Sequence, residues 1–175
     1  MSPPLAPMFE HWHEFFLLLG TAAATLIALL FVAVSIGAGM LSAQRAAGTR
    51  TFMSPVVVHF TAVLVACGLA LIPTHTRASF GLLIGAGAIA GAAYAVFISI
   101  RLLRGRDVDW GDRLAYGVAT LLSYVAAVVA ARLFFAGSPH APEVLAGPLL
   151  ALLVINIRNA WDLTVFFARQ HAGGK

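Results

Sequence analysis

Long apolar runs alternate with short polar breaks along the chain. A helix needs about 20 mostly apolar residues to span the hydrocarbon core of a bilayer. Five runs come close to or exceed that length: 15–41, 55–72, 78–100, 114–135 and 144–167. The pattern therefore predicts an all-α integral membrane protein, in which residues 1–175 form a single bundle of five transmembrane helices.

The breaks between the runs indicate where the helices end. The break at 42–54 separates the first two runs, and Pro55 directly after it suits the first turn of a helix. Pro73 closes the second run, since proline is unfavourable in the interior of a helix. The break at 101–113 is the most polar part of the chain.

Composition agrees with a membrane location. Hydrophobic residues make up 61% of the chain and charged residues 10%, with a mean hydropathy of +0.92. Soluble chains have about 25% charged residues, so this chain has too few charges to cover a water-exposed surface. The net charge is +4, but arginine and lysine stand at the ends of the apolar runs. We therefore expect the lipid bilayer, and not nucleic acid, as the partner.

The positions of the basic residues predict an orientation. Cytoplasmic loops of membrane proteins carry an excess of lysine and arginine. With the N-terminus outside and the C-terminus in the cytoplasm, eight basic residues face inward and at most two face outward. The inward ones are Arg45, Arg50, Arg101, Arg104, Arg106, Arg113, Arg169 and Lys175, and the outward ones are Arg77 and Arg132. Trp12 and Trp110 then lie at opposite ends of spans, as interfacial anchors do.

Small residues recur along one face of the third run. Close backbone approach through small residues is what brings helices together in lipid. We therefore predict that the third helix makes the closest packing contacts, either at the centre of the bundle or between subunits; a general richness in alanine and glycine is the alternative. The face consists of Gly81, Gly85, Ala88, Ala92, Ala95 and Ser99, with Gly87 and Gly91 beside it.

The fifth run contains a polar sector: Asn156, Arg158, Asn159 and Asp162. A charge at the centre of a transmembrane helix costs about 2.5–3.5 kcal/mol, and such residues usually face protein or a water-filled cavity. Arg158 and Asp162 are four residues apart and can pair along the helix. The sector is interpreted as the lining of an ion or proton path, or as a ligand contact. The alternative is a salt bridge and amide clamp that locks the helix to its neighbours.

His59 lies near the cytoplasmic end of the second run, in the same half of the membrane as Asp162. A His–Asp pair could relay a proton, since histidine changes its charge near neutral pH. The alternative is a hydrogen-bonded packing residue.

Several histidines fall on the outer side in this orientation. Imidazole and carboxylate groups together suit Zn²⁺ or Cu²⁺. The candidate ligands are His11, His13, Glu14, His75 and His140; ordinary interfacial histidines are the alternative.

The chain carries no pattern typical of an enzyme. Gly85, Gly87 and Gly91 stand inside an apolar run, so their spacing indicates packing and not a phosphate-binding loop. Only His59 is deep enough to ligate a haem, and Cys67 is the single cysteine. We therefore expect no enzymatic activity, and the sequence does not identify a cofactor.

Three motifs give a resemblance to a known family. The first run reads GTAAATLIALLFVAVSIGA after the lead-in HWHEFF, and the fifth reads LLVINIRNAWDL. With these motifs the chain resembles an uncharacterised family of small five-helix proteins of the bacterial inner membrane. Ala28 stands where such sequences often carry glycine. The resemblance implies the fold and a bacterial inner-membrane location, and it carries no activity or residue role.

Two functions fit these observations. The first is a small homo-oligomeric channel or permease-like protein, in which the polar sector of the fifth helix faces a shared path. The second is an accessory or scaffold subunit of a larger membrane complex, in which that sector docks against a partner subunit.

Overall fold

Five long helices make up most of the chain in the computed structural model, which describes residues 5–38, 43–104 and 114–172, with side chains for 5–33, 35, 55–100 and 117–162. The described residues are almost all helical and include no β-strand. The all-α class and the five long helices are thereby confirmed. The helices are α1 (His13–Ala38), α2 (Ala43–Ala70), α3 (Arg77–Arg104), α4 (Thr120–Ala136) and α5 (Ala141–Ala172).

Four helical segments within the described residues are long and apolar enough to cross a membrane. They are Ala6–Ala33, Arg77–Ile100, Gly117–Ala136 and Ala141–Asp162. The apolar part of α2, Pro55–Ala70, is shorter.

The predicted start of the second helix is wrong. The break at 42–54 is helical from Ala43 onward, and Pro55 lies inside α2 instead of at its start. Alanine, glutamine and arginine in the segment AQRAAGTR favour a helix, and their polarity concealed this from an argument based on hydrophobicity. The proline removes one backbone hydrogen bond, which transmembrane helices tolerate through their neighbours.

The fourth predicted helix begins as a different kind of helix. A π-helical turn, Leu114–Ala119, leads into α4. Hydrophobic periodicity does not reveal such a local change in winding. Arg106, Arg113, Lys175 and Trp110, which supported the predicted orientation and anchoring, lie outside the described residues.

A lead-in before α1 closes one end of the bundle. It consists of a helical turn, Ala6–Phe9, and a 3-10 turn, Glu10–Trp12. The backbone N–H of Leu5 donates to the carbonyl oxygen of His75 at 3.1 Å, which attaches the lead-in to the α2–α3 turn. The α4–α5 turn lies at this same end, which we call the N-terminal end.

Aromatic rings fill the N-terminal end. The ring of Phe9 lies 5.6 Å from that of Phe134 in a stacked arrangement. It also meets the rings of Phe16 and Phe80 edge-on, at 5.1 and 5.3 Å. All four phenylalanines are buried, and such pairs contribute stability beyond their buried area. The lead-in is therefore part of the hydrophobic core.

The α4–α5 turn depends on a glycine. Gly137 has a φ of +70°, the left-handed region that other residues rarely adopt. The N–H of Gly137 donates to the carbonyl oxygen of Phe134, and the N–H of Ser138 donates to the carbonyl oxygen of Leu133. Two carbonyl groups at the end of α4 are thereby hydrogen-bonded. This tight turn makes α4 and α5 antiparallel neighbours.

The small-residue face of α3 packs on α4, the most extensive contact between the described helices. A Cβ atom on Gly81 would lie 3.1 Å from the carbonyl oxygen of Ala131, and one on Gly85 would lie 3.4 Å from the Cβ of Ala131. A Cβ on Gly91 would overlap the ring of Tyr124. The face thus serves packing inside the bundle.

Candidate functional site

Six polar side chains are buried in the described part of the bundle, and we call five of them the polar layer, leaving out Ser123. They come from three helices: His59 from α2, Thr120 and Tyr124 from α4, and Asn156 and Asn159 from α5. Each is 4% exposed or less. At 1.5 Å per residue, their Cα atoms lie about 16 to 27 Å along their helices from the N-terminal end. The polar layer is therefore about 11 Å deep and lies farther from the N-terminal end than the aromatic rings do.

A hydrogen bond between two helices runs through the polar layer. Nδ1 of His59 lies 2.7 Å from the hydroxyl oxygen of Tyr124, and the ring of Tyr94 lies 6.0 Å from the imidazole. His59 therefore fits the interpretation as a hydrogen-bonded packing residue. His59 and Asp162 lie in different surroundings, because Asp162 is exposed on the outside of α5 while His59 is buried.

Three oxygens of the polar layer have no hydrogen-bond partner within the described part of the chain. They are Oγ1 of Thr120 and the Oδ1 atoms of Asn156 and Asn159. Nδ2 of Asn156 donates to the carbonyl of Leu152 at 2.7 Å, so only the oxygen of this amide is left over. A buried polar atom without a partner costs about 1–3 kcal/mol. All three unpaired atoms are oxygens, which suit a hydrogen-bond donor or a hard cation.

The helix arrangement brings Thr120 and Asn156 to the same level. Tyr124 and Leu152 border the same apolar cleft, one on α4 and the other on α5. Thr120 precedes Tyr124 by one turn, and Asn156 follows Leu152 by one turn. Because the two helices are antiparallel, both steps lead away from the N-terminal end.

The apolar cleft lies between α2 and α3 and has a volume of about 100 Å³. Its walls include Val65 and Ala66 on α2 and Leu83 and Gly87 on α3, and the ring of Tyr124 forms part of its floor. A Cβ atom on Gly87 would meet no atom within 4 Å. The His59–Tyr124 pair thus stands between an apolar space and the unpaired oxygens.

The predicted polar sector of α5 does not form one surface, which corrects the sequence prediction. Asn156 and Asn159 face the bundle interior, whereas the side chains of Arg158 and Asp162 are 64% and 44% exposed, with Nε and Oδ2 3.9 Å apart. Residues two apart on a helix do not face each other, so Asn156 and Arg158 point in nearly opposite directions. The predicted Arg158–Asp162 pairing is seen, but outside the bundle.

The predicted metal ligands are not brought together. No group of three His, Cys, Asp or Glu side chains in the described ranges is placed to hold a metal ion. His140 pairs with Glu143 at 3.5 Å, and His75 lies 3.4 Å from the hydroxyl of Ser79. His11, His13 and Glu14 are exposed on the lead-in and the start of α1. His75 and His140 thus make contacts within their own segments, and the predicted metal site is not seen among the described residues.

Sequence reasoning overlooked the contribution of α4 to the site. Thr120, Ser123 and Tyr124 are all buried. Their spacing of three and one puts them on one helix face, which was a usable signal within an otherwise apolar run.

No protein-family model, curated protein or solved structure matches the chain.

Proposed function

We propose that the chain is a multi-pass membrane protein of the bacterial inner membrane that acts as a small channel or permease-like protein. The N-terminus lies outside and the C-terminus lies in the cytoplasm. The polar layer binds the transported species, a small cation or a hydrogen-bond-donating solute. The four long apolar segments support the membrane location, and the distribution of basic residues supports the orientation.

The observation that carries the proposal is the set of unpaired oxygens on Thr120, Asn156 and Asn159. Polar groups inside membrane helices are costly and commonly mark substrate or ion pathways. If these residues served packing alone, valine or leucine would be more stable in their place, because nothing in the described structure satisfies their oxygens. A transiently bound cation or donor explains why polar groups stand there.

The closed N-terminal end favours gated transport over an open pore. Phe9, Phe16, Phe80 and Phe134 fill the bundle between the polar layer and that end. A species bound at the polar layer therefore leaves on that side only when the lead-in moves or when the path runs between subunits. Either route requires a conformational step or an assembly.

Proteoliposomes containing the purified protein test this proposal. Flux of protons, Na⁺ and K⁺ is measured for the wild type and for Thr120→Val, a nearly isosteric change that removes one unpaired oxygen. We expect flux to fall about five- to tenfold, the value of one lost hydrogen bond. The free energy of unfolding should stay the same or rise by about 1 kcal/mol, because a buried unpaired hydroxyl disappears.

Thr25→Val is the matched control. The hydroxyl of Thr25 donates to the carbonyl of Thr21 on the exposed face of α1, away from the polar layer. Its replacement should leave flux unchanged. Equal flux through the wild type and Thr120→Val in vesicles of equal protein content would count against a role of the polar layer in transport.

The exposed charges on α5 favour a second candidate, an accessory or scaffold subunit. Arg158 and Asp162 lie on the outer surface of a helix that is otherwise apolar enough to span a membrane. A wild type that conducts none of the tested ions and is isolated in a fixed ratio with a foreign membrane protein would favour this candidate.

A further inference from the structure

The apolar cleft and the polar layer lie along the same face of α5. Leu149 and Leu152 line the cleft, and Asn156 and Asn159 continue that face at spacings of four and three residues. Residues three and four apart on a helix are neighbours on one side of it. The asparagines of the polar layer therefore follow directly after the leucines of the cleft.

The same continuation is seen on two further helices. On α4, Tyr124 lines the cleft, and Thr120 precedes it by one turn. On α2, Ala62 lines the cleft, and His59 precedes it by three residues. On each of the three helices the step from the cleft to the polar layer leads away from the N-terminal end. The two features thus form one elongated site that is apolar at one end and carries unpaired oxygens at the other.

We propose that this elongated site binds one small neutral amphiphile. Its hydrocarbon tail lies in the apolar cleft, and its head donates hydrogen bonds to the amide oxygens of Asn156 and Asn159. The inference rests on the polar layer as the binding site in the proposed function, and it names the class of ligand that this site takes.

The cleft sets the size of the tail. Its volume is about 100 Å³. An apolar cavity of about 150 Å³ holds benzene, so a tail of about four carbon atoms fits here. Val65 and Leu83 on its walls are 52% and 43% exposed, which shows that the cleft opens between α2 and α3 to the outside of the bundle. An amphiphile dissolved in the bilayer reaches the cleft from that side.

The unpaired oxygens set the chemistry of the head. The oxygens of Asn156 and Asn159 only accept hydrogen bonds, whereas the hydroxyl of Thr120 accepts and donates. A primary amide matches this set, because its two N–H groups suit the two asparagine oxygens and its carbonyl oxygen suits the Thr120 hydroxyl.

The surroundings of these oxygens favour a neutral head. No Asp or Glu side chain is buried among the described residues, so a cationic head would lack a buried counter-charge. An anionic head would face acceptor oxygens. Of the two kinds of species in the proposed function, the ligand is therefore the hydrogen-bond-donating solute.

Tyr124 stands where the two parts of the site meet. Its ring borders the cleft, and its hydroxyl oxygen lies 2.7 Å from Nδ1 of His59. Thr120 and Asn156 each lie one helical turn, about 5.4 Å, beyond the cleft. The head passes the His59–Tyr124 pair to reach them, so binding requires the Tyr124 ring to turn.

Equilibrium dialysis of the protein in lipid nanodiscs tests the proposal with two radiolabelled probes. Pentanamide has a four-carbon tail and two N–H donors, and N,N-dimethylpentanamide has the same tail and no donor. The wild type should bind pentanamide at least about tenfold more tightly, because two hydrogen bonds are lost with the second probe. Empty nanodiscs give the background. Equal affinity for the two probes, or binding of neither, would overturn the proposal.

Two substitutions separate the head from the tail. Asn159→Leu is nearly isosteric and removes one acceptor, so it should weaken pentanamide about five- to tenfold and N,N-dimethylpentanamide less than about twofold. Gly87→Leu fills the cleft, where an added Cβ would meet no atom within 4 Å, so both probes should bind at least about tenfold more weakly. Thr25→Val, on the exposed face of α1, should change neither affinity. A Gly87→Leu protein that is folded and monodisperse but binds both probes like the wild type would also overturn the proposal.

Binding and transport give separate results. Preferential binding of pentanamide by a protein without flux would refute transport and support the ligand class. Ion flux that depends on Thr120 and is not inhibited by pentanamide, together with equal affinities for the two probes, would support the proposed function and overturn this inference.

Discussion

The inner and outer faces of α5 carry different polar groups. The amide oxygens of Asn156 and Asn159 are buried without a partner, while the ion pair of Arg158 and Asp162 lies outside. The sequence showed that this segment is unusually polar for an apolar helix. It could not show which groups face inward, because that depends on the direction in which α4 packs against α5.

A glycine on α3, Gly91, tests the packing of α3 against the ring of Tyr124. A Cβ on Gly91 would overlap the Tyr124 ring, which is 3% exposed and bonded to His59. We expect Gly91→Ala to lower the free energy of unfolding by about 1–3 kcal/mol, the usual cost of overpacking a core. A denaturant titration of the detergent-solubilised protein measures this.

Gly87→Ala is the control for that change, one turn away on the same helix. Its Cβ would project into the apolar cleft without meeting an atom within 4 Å. Alanine is a better helix former than glycine by up to about 1 kcal/mol, so this variant should be as stable as the wild type or more stable. Similar losses of stability in both variants would show that the ring of Tyr124 is not what restricts position 91.

Among the helices, the contact between α3 and α4 is the one that the sequence predicted best. Glycine and alanine at alternating spacings of four and three indicate a close helix contact, and the structure has it. The partner helix was not predictable, since a small residue carries no information about what packs against it. The helical segment before Pro55 was also missed, because helix propensity in a polar segment gives no hydrophobic signal.

Position 85 tests the α3–α4 contact. A Cβ on Gly85 would lie at ordinary van der Waals distance from Ala131, 3.4 Å, so Gly85→Ala should be tolerated. Gly85→Leu adds three more carbon atoms to the contact and should cost about 1–3 kcal/mol. Leu83→Ile, on a side chain that is 43% exposed, should change stability by less than about 0.5 kcal/mol. Thermal unfolding of the three variants in one detergent gives the order of their stabilities. Equal stability of all three variants would contradict a close contact between α3 and α4 at this position.

In the whole molecule, the N-terminal end of the bundle and the polar layer differ in chemistry. Aromatic rings fill the N-terminal end, together with the lead-in that is hydrogen-bonded to the α2–α3 turn. The polar layer lies farther from this end. The sequence predicted five helices correctly because each apolar run is nearly long enough on its own to define one. The polar layer depends on contacts between residues far apart in the chain, such as His59 and Tyr124, and no local pattern encodes those. The resemblance to small five-helix proteins of the bacterial inner membrane stays a prediction.

Orientation in the membrane is the prediction that belongs to this scale. Ser138 lies in the tight α4–α5 turn at the N-terminal end, and the excess of basic residues on the opposite side predicts that this end lies outside. In a Cys67→Ala background, Ser138→Cys should react with a membrane-impermeant thiol reagent added to intact cells. Cys67 itself is buried, so the wild type supplies the unreactive control. We also expect a cytoplasmic C-terminus. A reporter that is active only in the cytoplasm should therefore be active when it is fused after Lys175. Labelling of Ser138→Cys that requires permeabilised cells, together with an exported reporter, would reverse the orientation and place the aromatic end on the cytoplasmic side.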